Sequence, residues 1–220
     1  MNRKSVKFFV LFVAVFFSFL SMQALAMEKK MAPKMASPKL NTATVGLRLA
    51  LHDLWISHIF WVRNEVLMTK LGDADAAKVA GTQAVENAKA IANSVSPFYG
   101  QAASDKLFNL LAGHYGAIKE YMTAAYEMKK EAQSGAADKM KKNADEIAAF
   151  LNGANPKNWP KETLASALLA HVGHHMAQID QISAKDYTGE ADTWEAMKKH
   201  MYVIADVLAD GIVKQFPKKF

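Results

Sequence analysis

Residues 54–58 read Leu54-Trp-Ile-Ser-His58, and the same spacing recurs as Leu110-Leu-Ala-Gly-His114 and Ala167-Leu-Leu-Ala-His171. Each segment begins with an apolar residue and ends in a histidine. A second polar residue follows each histidine after 29 positions: Asn87, Asn143 and His200. Four and eight positions beyond it stand Ile and then Val or Leu, with Ala at the fifth. We interpret this pattern as three repeated helical hairpins that carry polar groups on their buried side.

Beyond the N-terminal segment the apolar residues keep a helical period, without the alternation typical of strands. This predicts an all-α fold, an antiparallel bundle of about six helices over residues 42–216. The first helix is expected from about Thr44 to Leu71, where Gly72 permits a left-handed stop and Asp73 caps the next helix. The remaining helix ends are expected near Ser94, Ala102, Gly153, Pro160 and Lys214.

The turn of an antiparallel hairpin should lie midway between two residues that are level with each other. For the first and third repeats the midpoints, 72.5 and 185.5, coincide with the loops expected at Gly72 and at 185–189. For the second repeat the midpoint is 128.5, whereas the visible turn signal is Ser134-Gly135. Either residues 128–130 turn without Gly or Pro, or this hairpin is asymmetric.

The N-terminus has the pattern of a secretory signal peptide. A basic start precedes an apolar run from Phe8 to Leu20 and the small-residue site Ala24-Leu25-Ala26. We expect residues 1–26 to be cleaved before Met27 and the protein to be periplasmic or secreted. An uncleaved anchor is the alternative, because the apolar stretch is almost long enough to span a bilayer. Residues 27–41, with two prolines and four lysines, predict a flexible leader.

Composition narrows the function classes. The chain has 27 Lys and Arg against 21 Asp and Glu, and three of the basic residues lie in the signal segment. The charge therefore predicts no nucleic-acid partner, and we expect no stable membrane association after cleavage. The chain contains no cysteine, which excludes disulfides and covalent haem attachment. Any metal site must use histidine, carboxylate, methionine or amide ligands.

The histidines define the candidate site. His175 lies one turn from His171 on the same helix face, and a His-x-x-x-His pair can bind one metal ion. Seven residues beyond the first histidine of each repeat stands a second polar tier on the same face: Glu65, Tyr121 and Gln178. Imidazole and carboxylate ligands suit Zn, Fe, Cu or Ni. The predicted ligands of this transition metal are His58, His114, His171, His200, His175 and Glu65.

Other interpretations stay open. Buried His and Asn side chains can join helices by hydrogen bonds without a metal, as in a structural or adaptor bundle. Haem is a further alternative because several methionines, more often core filler, lie near the histidines: Met176, Met197 and Met201. A metalloenzyme would need an open coordination position. We lean against catalysis, since the chain has no nucleophile motif and no Glu-x-x-His pair of a di-iron bundle.

His52 stands apart from this set. It lies six residues before His58, about 240° around the helix, so the two do not share a face. Whether it reaches the site across a helix end or binds a neighbouring helix stays open. Among the acidic residues, Glu65 alone is expected to face inward.

Two resemblances accompany these patterns. The motif His171-x-x-x-His175-x-x-Gln178-Ile179 resembles the closing helix of DinB/YfiT-like bundles. In that family such histidines bind a divalent metal within a four-helix bundle, so the resemblance implies a metal at this helix. Residues 51–63, 143–150 and 205–217 resemble an uncharacterised bacterial all-helical family of unassigned function. Its members sometimes carry labels such as glycosyltransferase, which no phosphate loop or nucleotide-binding pattern in this chain supports.

Overall fold

A computed structural model describes residues 41–220, and this part of the chain is helical, without strands. A short helical segment, Ser96–Tyr99, precedes the third long helix, and a 3-10 turn, Pro217–Lys219, follows the last. The predicted all-α fold is therefore confirmed for the described residues. The six long helices are α1 (Thr42–Leu71), α2 (Ala74–Ser94), α3 (Gln101–Tyr126), α4 (Lys130–Ala154), α5 (Lys161–Ala184) and α6 (Tyr187–Gln215).

Two predictions fall on other parts of the chain. The signal peptide at 1–26 lies outside the described residues, as does the leader at 27–41 apart from Asn41. None of the helices in the described part combines the length and the apolar character needed to cross a membrane.

Side-chain caps and left-handed residues explain where the helices begin and end. The Asn41 side chain accepts hydrogen bonds from the Ala43 and Thr44 amides, so α1 begins two residues earlier than expected. Gly72 ends α1 with φ 81°, and Asp73 caps α2. The ends expected near Ser94, Ala102, Gly153, Pro160 and Lys214 lie within one residue of the observed ones, whereas α6 begins at Tyr187, inside the loop expected at 185–189.

The turn between α3 and α4 comprises residues 127–129, at the midpoint predicted for the second repeat. Its residue Met128 has φ 58°, a left-handed conformation that costs a non-glycine residue about 1–2 kcal/mol. Ser134 and Gly135 lie inside α4 instead. The Ser134-Gly135 pair therefore does not mark the turn. The turn needs one left-handed residue, and Met128 adopts that conformation in place of a glycine.

Each helix packs on the next one along the chain, and α6 packs on α1. In addition, α5 contacts both α1 and α3. The core between them consists mainly of Leu, Ile, Val and Ala, with Met140, Met197 and Met201 fully buried as filler. The three odd-numbered helices thereby bring the first histidine of each predicted repeat into the interior.

We expect Met128→Gly to raise the free energy of unfolding by about 0.5–1 kcal/mol, because glycine adopts the left-handed conformation without a Cβ penalty. Met128 is 82% exposed, so the substitution removes little packing. Met128→Ala keeps the strain and is the matched control, with a smaller change. Urea denaturation of the purified variants measures the difference, and equal stabilities of the Gly and Ala variants would contradict the assignment.

Candidate metal centre

Four histidines meet in the core, and we call them the histidine cluster: His58 on α1, His114 on α3, and His171 and His175 on α5. Each is at most 4% exposed. One ring nitrogen from each of His58, His171 and His175 lies within 4.8 Å of the other two. The His114 ring centroid lies 5.7 Å from that of His171 and 6.2 Å from that of His175. Three buried imidazoles are therefore close enough to hold a metal ion, with a fourth beside them.

The two histidines of α5 already face each other in a manner that suits a shared ion. The Nε2 atoms of His171 and His175 are 3.1 Å apart. Two nitrogens bound tetrahedrally to one metal at about 2.0–2.1 Å are themselves about 3.3 Å apart. A small rotation of either ring accommodates a metal between them.

The ring nitrogens of the cluster have few partners within the protein. Five of the eight are buried without a hydrogen bond, namely both nitrogens of His114 and the Nδ1 atoms of His58, His171 and His175. A buried polar atom left unpaired costs about 1–3 kcal/mol. The cluster therefore has more donor and acceptor capacity than the surrounding protein satisfies.

The buried position keeps these histidines neutral. Burial, and after it the nearness of a second ionisable ring, His114, lowers the pKa of His58 to about 3. Burial lowers the pKa of His114 to about 4. For His171 and His175, burial and then the neighbouring histidines hold the pKa well below its usual value. Neutral imidazole is the form that binds metal ions, so the rings are ready to bind at neutral pH.

Three equivalent hydrogen bonds tie each histidine-bearing helix to the next helix. In each bond, a side chain donates to the backbone carbonyl oxygen of the residue one turn before the cluster histidine. That oxygen has a second lone pair, so it can accept this bond as well as the bond within its helix. All three join residues 33 positions apart. They are Asn87 Nδ2 to Leu54 O at 3.0 Å, Asn143 Nδ2 to Leu110 O at 3.0 Å, and His200 Nε2 to Ala167 O at 2.8 Å.

His200 thus behaves like the two asparagines. Because a carbonyl only accepts, His200 Nε2 carries the proton of this bond. The His200 ring lies tilted against that of half-buried His174, with the ring centroids 5.6 Å apart. It is not among the three histidines whose nitrogens converge. His52 is also elsewhere, with its Nε2 2.8 Å from Asp206 Oδ1 and its ring against Tyr202.

Glu65, the predicted carboxylate ligand, lies two turns beyond His58 and has its own partners. It accepts a hydrogen bond from Tyr115 Oη at 2.5 Å, and Lys119 Nζ lies 3.2 Å from it. In the same tier, Tyr121 and Gln133 donate to Asp180. Glu65 and Tyr121 of the second polar tier therefore bond to other side chains rather than to the histidine cluster.

A second buried acid, Glu190, was missed by the expectation that only Glu65 faces inward. Glu190 is 2% exposed. Arg63 donates two hydrogen bonds of 2.6 Å to it, and Gln178 donates a third at 2.8 Å. Burial raises the pKa of Glu190, but the bonds from Arg63 and Gln178 outweigh it and leave the pKa below its usual value. Glu190 directly follows the loop expected at 185–189, so the sequence did not indicate that its side chain is buried.

The chain was compared with known proteins at three levels. A scan against protein-family models, a search of curated proteins and a search of solved structures each return no match. The resemblances to DinB/YfiT-like bundles and to an uncharacterised bacterial family stay predictions, and the candidate site rests on its own geometry.

Buried neutral histidines make the metal-free protein sensitive to acid. Their folded pKa values lie below the unfolded value of about 6.5, so the unfolded state takes up protons that the folded state resists. Stability is therefore complete above about pH 6.5 and falls at lower pH, by up to about 1.4 kcal/mol per pH unit for each histidine. Urea midpoints of chelator-treated protein measure the slope. A stability that is constant from neutral pH to about pH 5 would contradict it.

Removing the cation beside Glu190 should destabilise the bundle strongly. Arg63→Ala leaves a buried carboxylate without its charge partner, a change that costs about 3–5 kcal/mol. Arg48→Ala is the matched control, because its ion pairs with Asp206 and Asp210 involve side chains that are about 40% exposed and contribute about 1 kcal/mol or less. Thermal unfolding of both variants tests the contrast, which fails if the two losses are similar.

Proposed function

We propose that this protein is an exported, periplasmic helical bundle that binds one transition-metal ion in its histidine cluster, for storage, sensing or delivery rather than catalysis. One observation carries the proposal: nitrogens of His58, His171 and His175 converge within 4.8 Å in a core where most cluster nitrogens have no partner. In this proposal the three rings bind the ion, and His114 is the fourth ligand.

The same proposal includes the architecture. We infer that the bundle is antiparallel and consists of three repeated hairpins, α1–α2, α3–α4 and α5–α6. The three bonds across 33 residues support this inference, because each repeats the same donor position and the same carbonyl. The turn at 127–129 supports it too, because it lies midway between His114 and Asn143, the two residues expected at the same level in the second repeat. Each of the three repeats would supply one equivalent histidine at the same level of the bundle. His175 is a further histidine that only the third repeat contains.

The ligand set points to reversible binding. Imidazoles suit Zn, Fe, Cu or Ni, but the three converging ligands include no carboxylate, so the charge of a divalent ion stays uncompensated in the core. Protons compete with the metal for the same nitrogens. Such a site holds its ion at neutral pH and releases it on acidification, which fits storage or delivery.

A structural bundle without metal is the competing function, favoured by the three interhelical bonds that His and Asn already make. A haem is less compatible with the room available. The apolar cavity whose lining includes Trp55, Leu111 and Leu168, each three residues before a cluster histidine, measures about 40 Å³, whereas pockets for ligands of drug size measure about 300–1,000 Å³.

The deciding experiment is metal analysis of protein isolated from the periplasm. We expect about one ion per chain in the wild type and a loss of that ion in His171→Ala, since this removes a ring from the converging three. His174→Ala is the matched control: the residue lies on the same helix beside His175 but packs on His200. N-terminal sequencing of the same preparation tests cleavage before Met27.

Three outcomes would count against the proposal. Wild-type protein that contains no metal, and whose unfolding temperature does not change with added metal or chelator, would favour the structural bundle. Equal metal loss in His171→Ala and His174→Ala would place the ion elsewhere. A Soret absorption band in the purified protein would instead identify haem.

A further inference from the structure

The histidines that depart from the repeat pattern all belong to the third predicted hairpin, α5–α6: His174, His175 and His200. The equivalent positions of the other two hairpins hold other residues. These are Trp61, Val62 and Asn87 in the first hairpin, and Ala117, Ile118 and Asn143 in the second. His175 belongs to the buried histidine cluster, which leaves His174 and His200 to be explained.

The hydrogen bond of His200 does not by itself require a histidine. Asn87 and Asn143 make the equivalent bond at 3.0 Å, so an asparagine would join α5 to α6 as well. An imidazole adds a second nitrogen. Since Nε2 carries the proton of the bond to Ala167 O, the Nδ1 atom of the neutral ring is unprotonated and presents a lone pair. Such a nitrogen can bind a metal ion.

His174 supplies a second imidazole beside the first. The centroids of the His174 and His200 rings are 5.6 Å apart, the same separation as between His58 and His171 of the cluster. With metal–nitrogen distances of about 2.0–2.1 Å, two imidazoles on one tetrahedral ion have their centroids about 5 Å apart. Both rings are partly exposed, unlike those of the cluster. The pair can therefore bind one ion at the surface.

The same pair lies next to the cluster. His174 directly precedes His175 in α5, and the bond from His200 to Ala167 O lies one turn from His171. Burial lowers the pKa of His171 most, and His200 is among the rings that lower it further; His174 acts in the same way on His175, again after burial. Effects between rings weaken with distance. The pair is thus both accessible to solvent and close to the buried histidines.

A buried metal site needs a path by which the ion enters. We propose that His174 and His200 are the entry site of the histidine cluster: they bind an incoming divalent ion, with water completing its coordination, before it passes to His171 and His175. This inference rests on the proposed metal binding. The entry site changes how fast the ion enters and leaves, but not how tightly the cluster holds it.

The test measures binding of Co²⁺ to the metal-free protein, followed by the visible absorption of cobalt bound to imidazole. His200→Asn is the decisive variant, because asparagine keeps the bond to Ala167 O, as in the other two repeats, and removes Nδ1. We expect uptake, and release into excess chelator, both to slow about tenfold or more, because a species on the path lowers the same barrier in both directions. The dissociation constant should stay within about twofold of the wild-type value.

Three further variants sharpen the result. His174→Ala should slow both rates in the same way and still contain about one ion per chain at equilibrium. The double variant of His174 and His200 should be about as slow as the slower single variant, because the two rings hold the same ion. His52→Asn is the matched control: His52 is also a partly exposed histidine but bonds to Asp206, so both rates should stay unchanged.

Unchanged rates in His200→Asn would overturn the entry site. So would slower uptake with faster release and a weaker dissociation constant, which would mean that the residue holds the ion at equilibrium. Wild-type protein that binds no Co²⁺ would refute the proposed function together with this inference, whereas wild-type binding with unchanged variant rates refutes the entry site alone. Circular dichroism checks the fold of each variant, and either single variant decides if the other does not fold.

Discussion

Burial of four neutral imidazoles in one cluster is the constraint on which the rest of this structure depends. An imidazole in the core stays neutral, and its ring nitrogens must lie where they can share a partner such as a metal ion when the protein supplies none. Both conditions require α1, α3 and α5 to keep their levels to within a fraction of a turn. The side chains of Asn87, Asn143 and His200 fix part of that alignment, because each bonds one histidine-bearing helix to the next helix along the chain, one turn from a cluster histidine.

The two buried acidic side chains of the core bond to other residues rather than to the histidine cluster. Glu65 and Glu190 are both buried, yet each has its own donors, Tyr115 and Lys119 for one and Arg63 and Gln178 for the other. A carboxylate adjacent to the rings would raise their pKa values and favour imidazolium. Separate polar tiers therefore let the same core contain neutral histidines and hydrogen-bonded acidic side chains.

Periodicity and spacing predicted the helices and the inward histidines, because both follow from which face of a helix each residue occupies. They could not predict partners. His200 has the same spacing as the asparagines, and only the carbonyl of Ala167 shows that it acts like them. Glu190 escaped because its partner Arg63 is 127 residues away. The turn at Met128 stayed one of two alternatives, because left-handed backbone at a non-glycine residue leaves no sequence signal.

The bonds across 33 residues also bear on how the chain folds. Contacts between residues close in sequence form quickly, since closing a short loop costs little chain entropy. Each pair of successive helices can therefore assemble before the rest of the chain has folded. The rings of His58 and His171, 5.6 Å apart, come from residues 113 positions apart. Chain entropy therefore favours forming the neighbouring helix pairs first and completing the cluster last.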